Sequence, residues 1–211
     1  MTGHQVYSTL HTSSAIGAIP RLLDLGIVPD ILAGNLIGIV AQRLVRRLCP
    51  HCREAYPAAD YEMRLLGCTD NGVRPTLFRA RGCPQCDFQG YRGRMAIMEL
   101  LRMDADLDEL IARRATAREL HHAAAARGFR PLADDGTRRV LEGSTSLEEL
   151  SRVIDLTDHR GQLGGYILRA LGAEELAAHR VDATPQVQTR RFAEGLTCLA
   201  AFDAKQRLTG L

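Results

Sequence analysis

"CPHC", residues 49–52, and "CPQC", residues 83–86, are the two stretches that decide how this sequence is interpreted. Each places two cysteines three positions apart, so both sulfurs of one tight turn can bind the same ion. Two such turns supply the four corners of a closed tetrahedral site. The spacing therefore predicts a structural zinc ion bound by four thiolates, those of Cys49, Cys52, Cys83 and Cys86.

Two other functions remain open for these cysteines. A thiol oxidoreductase needs one such pair beside a strand–helix unit, but it leaves the second pair unexplained, and we predict no strand before Cys49. A zinc ribbon that binds nucleic acid is suggested by Arg43, Arg46, Arg47 and Arg53. Nearby aromatic residues are few and the net charge is only +2, so we expect no nucleic-acid partner.

Composition places the chain among ordinary folded proteins. Its 211 residues are 45% hydrophobic and 25% charged, enough for one core with or without an appendage. No apolar run approaches the roughly 18 residues that span a bilayer, and "MTGHQVYS" does not resemble a signal peptide. We therefore expect a cytosolic protein with no transmembrane segment, whose thiols stay reduced and available as ligands.

The hydrophobic pattern predicts secondary structure along the first 154 residues. We predict a strand over 5–12, a helix over 13–25 that ends at Gly26, and a longer helix over 29–48. Residues 53–82 are expected to be irregular. The stretch "GYRGRMAIMELL" (90–101) should form a turn and a short buried segment, and residues 104–154 should be helical. No periodic pattern assigns residues 155–211.

The end of the first predicted strand carries polar side chains that could bind a ligand. Thr9 and His11 fall on one face of that strand, and Thr12 follows before the helix. In an open α/β sheet, ligands bind beyond the carboxyl ends of strands, where a helix N-terminus favours phosphate. A polar strand end without a ligand would have the same pattern, so spacing alone leaves both interpretations open.

Several longer motifs, in order, resemble the secretion ATPases of type II secretion and type IV pilus assembly. The histidine-box region of that family is similar to "TGHQVYSTLHTSSAIGAIPRLLDLGI" (2–27). It is followed by "VAQRLVRRLCPHC" (40–52), "GCPQCDFQGYRGRMAIMELL" (82–101) and "DDGTRRVLEGSTSLEELSRVI" (134–154). The resemblance covers roughly residues 2–154, and it does not separate the secretion member from the pilus member.

This resemblance implies an α/β fold that corresponds to the C-terminal part of the family's ATPase domain. We expect part of a RecA-like ATPase core, a tetracysteine zinc insertion and a helical C-terminal subdomain. The implied division is core at 1–48, zinc insertion at 49–86, remaining core and helical subdomain at 87–154, and an unassigned tail at 155–211.

The resemblance also implies the cofactors, partners and roles of individual residues. His11 corresponds to a catalytic position, and His4, Thr9 and Thr12 lie beside the nucleotide. The complete family protein uses ATP and Mg²⁺ and forms a hexameric ring. It works in the cytoplasm, peripheral to the inner membrane, with platform proteins of the secretion or pilus machinery.

One family motif is missing from the printed sequence. A P-loop needs G-x-x-x-x-G-K-[ST], and the single lysine, Lys205, lies in "DAKQRL" without a glycine loop. Phosphoryl transfer depends on that loop, its lysine and the magnesium site. We therefore expect this chain to hydrolyse no ATP by itself.

Overall fold

The computed structural model describes residues 5–68 and 73–156, together with the backbone of residues 197–202. The architecture is mixed α/β. Strands β1 (Val6–Leu10), β2 (Leu36–Leu48), β5 (Tyr91–Arg102) and β6 (Thr197–Phe202) form one sheet in the order β1-β6-β2-β5, with antiparallel neighbours. Strands β3 (Glu54–Pro57) and β4 (Thr76–Arg79) form a second, two-stranded sheet.

Seven α-helices lie in the described residues, together with one 3-10 helix over Pro84–Cys86. The α-helices are α1 (Ala15–Asp24), α2 (Pro29–Leu32), α3 (Asp60–Leu65), α4 (Ala105–Ala112), α5 (Ala117–Ala126), α6 (Leu132–Leu141) and α7 (Leu147–Val153). The strand predicted over 5–12, the helix predicted over 13–25 and the helical character of 104–154 are confirmed. None of these helices combines the length and the hydrophobicity that crossing a lipid bilayer requires.

The predicted helix over 29–48 is wrong. A single helical turn, α2, is followed by the 13-residue strand β2, which pairs along its length with β5. Ile39, Ala41 and Val45 are fully buried, and their separations of two and four residues place all three side chains on one face of a strand. A register shift between Arg46 and Leu48 interrupts the regular pairing with β5 near the end of the strand.

Two related predictions also need correction. Residues 53–82 are not irregular throughout, since they contain β3, α3 and β4. A strand does precede Cys49, because β2 ends at Leu48. The absence of that strand therefore cannot serve as an argument against a redox dithiol.

The pairing of β2 with β5 positions the cysteine pairs. Leu48 pairs with Tyr91, so residues 49–90 form one excursion whose two ends meet at the end of a long antiparallel ladder. Helices α1 and α6 pack against β2 and β5, where Ile39, Ile97 and Leu101 are buried. The excursion therefore extends from a well-packed base.

Candidate metal centre

The four predicted ligands come together in one cluster. The sulfurs of Cys49, Cys52, Cys83 and Cys86 all lie within 4.8 Å of one another. The Sγ–Sγ distance is 3.9 Å for Cys49–Cys83 and 3.8 Å for both Cys52–Cys86 and Cys83–Cys86. Sulfurs bound at about 2.3 Å in a tetrahedron lie about 3.8 Å apart, so the cluster could hold one metal ion in a four-thiolate site.

These distances also bear on the redox alternative. A disulfide brings its two sulfurs to about 2.05 Å, whereas all five described cysteines are free thiols. Cys83 contacts a cysteine of the other pair as closely as it contacts Cys86. The geometry therefore favours one site formed by all four sulfurs over a catalytic dithiol formed by one cysteine pair with the second pair unused.

Backbone amides orient the sulfurs. The Gly82 amide donates to Cys52 Sγ at 3.3 Å, and the amides of Cys83 and Gly90 donate to Cys86 Sγ at 3.3 and 3.2 Å. Gly82 has φ of +100°, and a Cβ there would lie 2.5 Å from the carbonyl oxygen of Phe88. Only glycine fits this approach, so the residue before the second pair is fixed by the geometry of the turn.

The same amides shift the acidity of the thiols. Burial raises the pKa of Cys86, but the donors from Cys83 and Gly90 lower it to about 7. Burial raises the pKa of Cys52 to about 11 despite the Gly82 amide. One thiol is therefore ready to ionise near neutral pH, and a bound cation would ionise the others.

A buried carboxylate fixes the base of the excursion. Glu149 on α7 is fully buried and accepts from the Arg46 amide at 3.1 Å and from Arg46 Nη2 at 2.6 Å. It also accepts from Arg152 Nη2 at 2.8 Å. Burial raises the pKa of Glu149, but the hydrogen bonds from Arg152 and Arg46 lower it to about 2. The end of β2 is thereby joined to α7.

Sequence reasoning did not identify Glu149, because "SLEE" (146–149) has only the spacing of a helix capping box. Ser146 Oγ does accept from the Glu149 amide at 3.1 Å, as that motif predicts. The carboxylate points instead to Arg46, 103 positions earlier in the chain. A partner so distant in sequence leaves no local signal, which is why this contact was missed.

The predicted nucleotide residues lie in a different environment. Thr9 is on β1 and His11 follows its last residue; both side chains are exposed. Thr12 is half-buried and its hydroxyl donates to the Ser14 carbonyl at 3.1 Å. His4 lies outside the described residues. The structure thus brings Thr9, His11 and Thr12 to one strand end, and their contact with a nucleotide stays a prediction.

A second buried carboxylate, Glu99, contacts the start of the helix that follows that strand end. Glu99 on β5 accepts from the Ala15 amide at the start of α1 and, at 2.8 Å, from the Leu132 amide at the start of α6. The segment that carries His11 is therefore anchored through the first turn of α1. Sequence reasoning did not identify Glu99, because both of its partners are distant in the chain.

Comparison with known proteins identifies similar chains. A family described as "Type II/IV secretion system protein" matches residues 1–152. The chain is 50% identical over 153 residues to the type II secretion system protein E of Pseudomonas aeruginosa, and 49% identical over 155 residues to the type II secretion system ATPase E of Vibrio cholerae. Each match covers 72% of this chain and 30% of the relative.

A pilus protein is also similar. The type IV pilus assembly ATPase PilB of Thermus thermophilus is 39% identical over 157 residues, which cover 74% of this chain and 18% of that protein. The chain therefore spans at most about a third of the length of these relatives. The resemblance inferred from the motifs is confirmed.

Proposed function

This chain belongs to the type II/IV secretion system protein family, and on that premise we propose that it forms part of an ATPase that drives pseudopilus or pilus assembly. The observation that carries the proposal is the four-sulfur cluster, set at the end of the β2–β5 ladder within the region that matches the family. In this proposal, residues 1–48 and 87–154 belong to a RecA-like core with a helical C-terminal subdomain, and residues 49–86 form its zinc insertion.

Zinc is the proposed metal because the donor set is four thiolates at tetrahedral spacing. Such a site has no open coordination position, so the ion would fix structure and take no part in chemistry. It would hold residues 53–82 against the base of the excursion, where two short strands and one short helix bury few residues.

The proposed nucleotide-facing residues are His4, Thr9, His11 and Thr12, with ATP and Mg²⁺ bound by the complete protein. The exposure of Thr9 and His11 supports this role, because a ligand can reach both side chains. His11 would contact the terminal phosphate, where a donor stabilises charge that develops during transfer. Thr12 would help to set the turn between β1 and α1.

We further propose that the working assembly is a hexameric ring in the cytoplasm, peripheral to the inner membrane and in contact with platform proteins. The printed sequence has no P-loop, so we expect the purified chain to show no magnesium-dependent ATP hydrolysis. Hydrolysis by homogeneous chain that disappears in His11→Ala would contradict this expectation.

A chimera tests the function directly. Residues 1–154 would replace the matching region of the Pseudomonas aeruginosa relative, and secretion and ATPase turnover would be measured. We expect the chimera to be active, and His11→Ala to lower kcat far more than nucleotide affinity. His122→Ala, which removes an exposed histidine on α5, is the matched control. A soluble, hexameric chimera without turnover would overturn the proposal.

A further inference from the structure

A cleft beside the metal centre gathers three arginines. Its volume is about 370 Å³, and Arg47, Arg53 and Arg92 line it together with Leu48, Pro50 and Ser144. Arg47 lies near the end of β2, Arg53 follows the first cysteine pair and Arg92 is the second residue of β5. The three side chains therefore converge from separate segments that the metal centre and the β2–β5 ladder hold together.

Arg53 is held in place by neutral groups. Its Nη1 donates to the Gly143 carbonyl at 2.7 Å, and its guanidinium lies 4.5 Å from the centroid of the Phe78 ring. Gly143 has φ of +68°, and a Cβ there would lie 2.5 Å from Phe78 Cδ2 and 3.0 Å from Arg53 Nη1. The loop after α6 thus closes against Arg53 only because residue 143 is glycine.

The charge of the cleft is unbalanced. Across the part of the chain that the structure describes, no carboxylate forms an ion pair with Arg47, Arg53 or Arg92. Other arginines do have such partners, including Arg46, Arg74, Arg79, Arg138 and Arg152. Three like charges around one partly enclosed cleft repel one another, so an anion that enters it is bound favourably.

We propose that this cleft binds the phosphate group of a ligand. Guanidinium groups match phosphate oxygens with paired hydrogen bonds, and a phosphate offers enough oxygens and negative charge to engage three of them. A single carboxylate carries one charge and two oxygens, so it would leave part of the positive charge of the three arginines uncompensated. The Ser144 side chain adds a possible hydroxyl donor at the wall. This site shares no residue with the proposed nucleotide site, so the two proposals can be tested separately.

The test is binding to the full purified chain. Inorganic phosphate and pyrophosphate would be titrated by calorimetry at low salt. In parallel, sedimentation would be measured with vesicles of phosphatidylcholine alone and of phosphatidylcholine with phosphatidylglycerol. The variants are Arg92→Gln and Arg47→Gln. The matched control is Arg102→Gln, an exposed arginine at the opposite end of β5. Metal content would be measured in every variant to verify that the cysteine cluster is intact.

We expect Arg92→Gln and Arg47→Gln each to weaken binding about tenfold or more, and Arg102→Gln to leave it unchanged. Loss of pyrophosphate binding in the two cleft variants supports a soluble phosphate ligand. Loss of sedimentation with the anionic vesicles alone supports a lipid headgroup. The proposal is overturned if neither probe binds, or if Arg102→Gln weakens binding as much as Arg92→Gln, because the attraction is then diffuse.

Discussion

The cysteine cluster and the strand end at His11 differ in how much of their geometry the surrounding residues determine. Three amides donate to the sulfurs, Gly82 permits the turn, and Glu149 ties the base of the excursion to α7. At the strand end, the side chains of Thr9 and His11 are exposed, and no comparable set of contacts fixes them.

This difference reflects two kinds of site. A closed metal site needs only its own ligands and the turns that present them, so one contiguous stretch, residues 49–90, can complete it. A nucleotide site draws a phosphate cradle, a cation and a base contact from several segments. Thr9, His11 and Thr12 supply at most a few of those contacts. Substitutions in the cysteine cluster should therefore lower stability, whereas substitutions at the strand end should lower catalytic turnover without unfolding the protein.

The largest effect should follow removal of the metal. Structural zinc binds zinc-finger peptides with about 10–16 kcal/mol, and that binding energy stabilises the folded form. We expect chelation, or Cys83→Ser, to accelerate amide hydrogen exchange in residues 53–82 much more than in the helices over 105–153. Cys68→Ser, which changes a cysteine outside the cluster, should leave exchange unchanged. Equal acceleration in both segments would show that the metal does not act locally.

Removing the Glu149 carboxylate should have the next largest effect. We expect Glu149→Ala to lower the free energy of unfolding by about 3 kcal/mol, because it removes charged hydrogen bonds to Arg46 and Arg152, whose guanidinium groups remain partly solvated. The exposed neighbour Glu148 provides the control substitution, Glu148→Ala. Denaturant titration measures both. A loss no larger than that of the control would mean that the base of the excursion is held by other contacts.

A fall in pH should weaken the contact between Glu149 and Arg46. The pKa of Glu149 is lowered from 4.5 to about 2 in the folded protein, so its contribution is fully present above about pH 4.5 and is lost as the pH falls toward 2. We expect the stability difference between wild type and Glu149→Ala to shrink across that interval. A difference that stays constant from pH 5 to pH 2 would contradict the role of the ionised carboxylate.

Gly143→Ala should have a smaller effect. A Cβ at this position meets Phe78, so we expect a loss of about 1–3 kcal/mol in addition to the strain of a positive φ. Gly128→Ala is a close control, because Gly128 has φ of +87° and open space around it. Denaturant titration should show the larger loss for Gly143→Ala. Equal losses would mean that the loop after α6 moves away from Phe78 without cost.

The smallest effect on stability should come from His11→Ala. Substitution of an exposed residue without partners changes stability by no more than about 0.5 kcal/mol. We therefore expect thermal unfolding of the chain to be unchanged, and turnover of the chimera to fall. A clear loss of stability would place His11 with the structural residues and remove the contrast between the two regions.

The sequence predicted the cluster of four cysteines because all four lie in two short motifs, each of which forms within one turn. The helices over 104–154 were also predictable, since caps at Asp104, Thr116 and Ser146 and the positive φ of Gly128 and Gly143 act within one turn. Strand β2 was not. A helical period also fits its apolar residues Ile37, Val40, Leu44 and Leu48. The segment forms a strand because it pairs with β5, which lies about fifty residues later in the chain.

Strand β6 was missed for a related reason. The sequence of residues 155–211 has no clear period, yet Thr197–Phe202 lies between β1 and β2 in the sheet. The contacts of Glu99 with Ala15 and Leu132, and of Glu149 with Arg46, were missed because these partners are 33 to 103 positions away. Contacts across such separations depend on the completed fold and leave no pattern in a single sequence.

X-ray absorption spectroscopy at the zinc edge, on chain purified under reducing conditions, would show whether the four cysteines bind zinc. We expect one zinc ion per chain with four sulfur ligands at about 2.3 Å, and loss of that signal in Cys83→Ser. Zinc bound by nitrogen or oxygen ligands, or metal-free protein whose four cysteines form disulfides while residues 53–82 keep their protection from exchange, would contradict it.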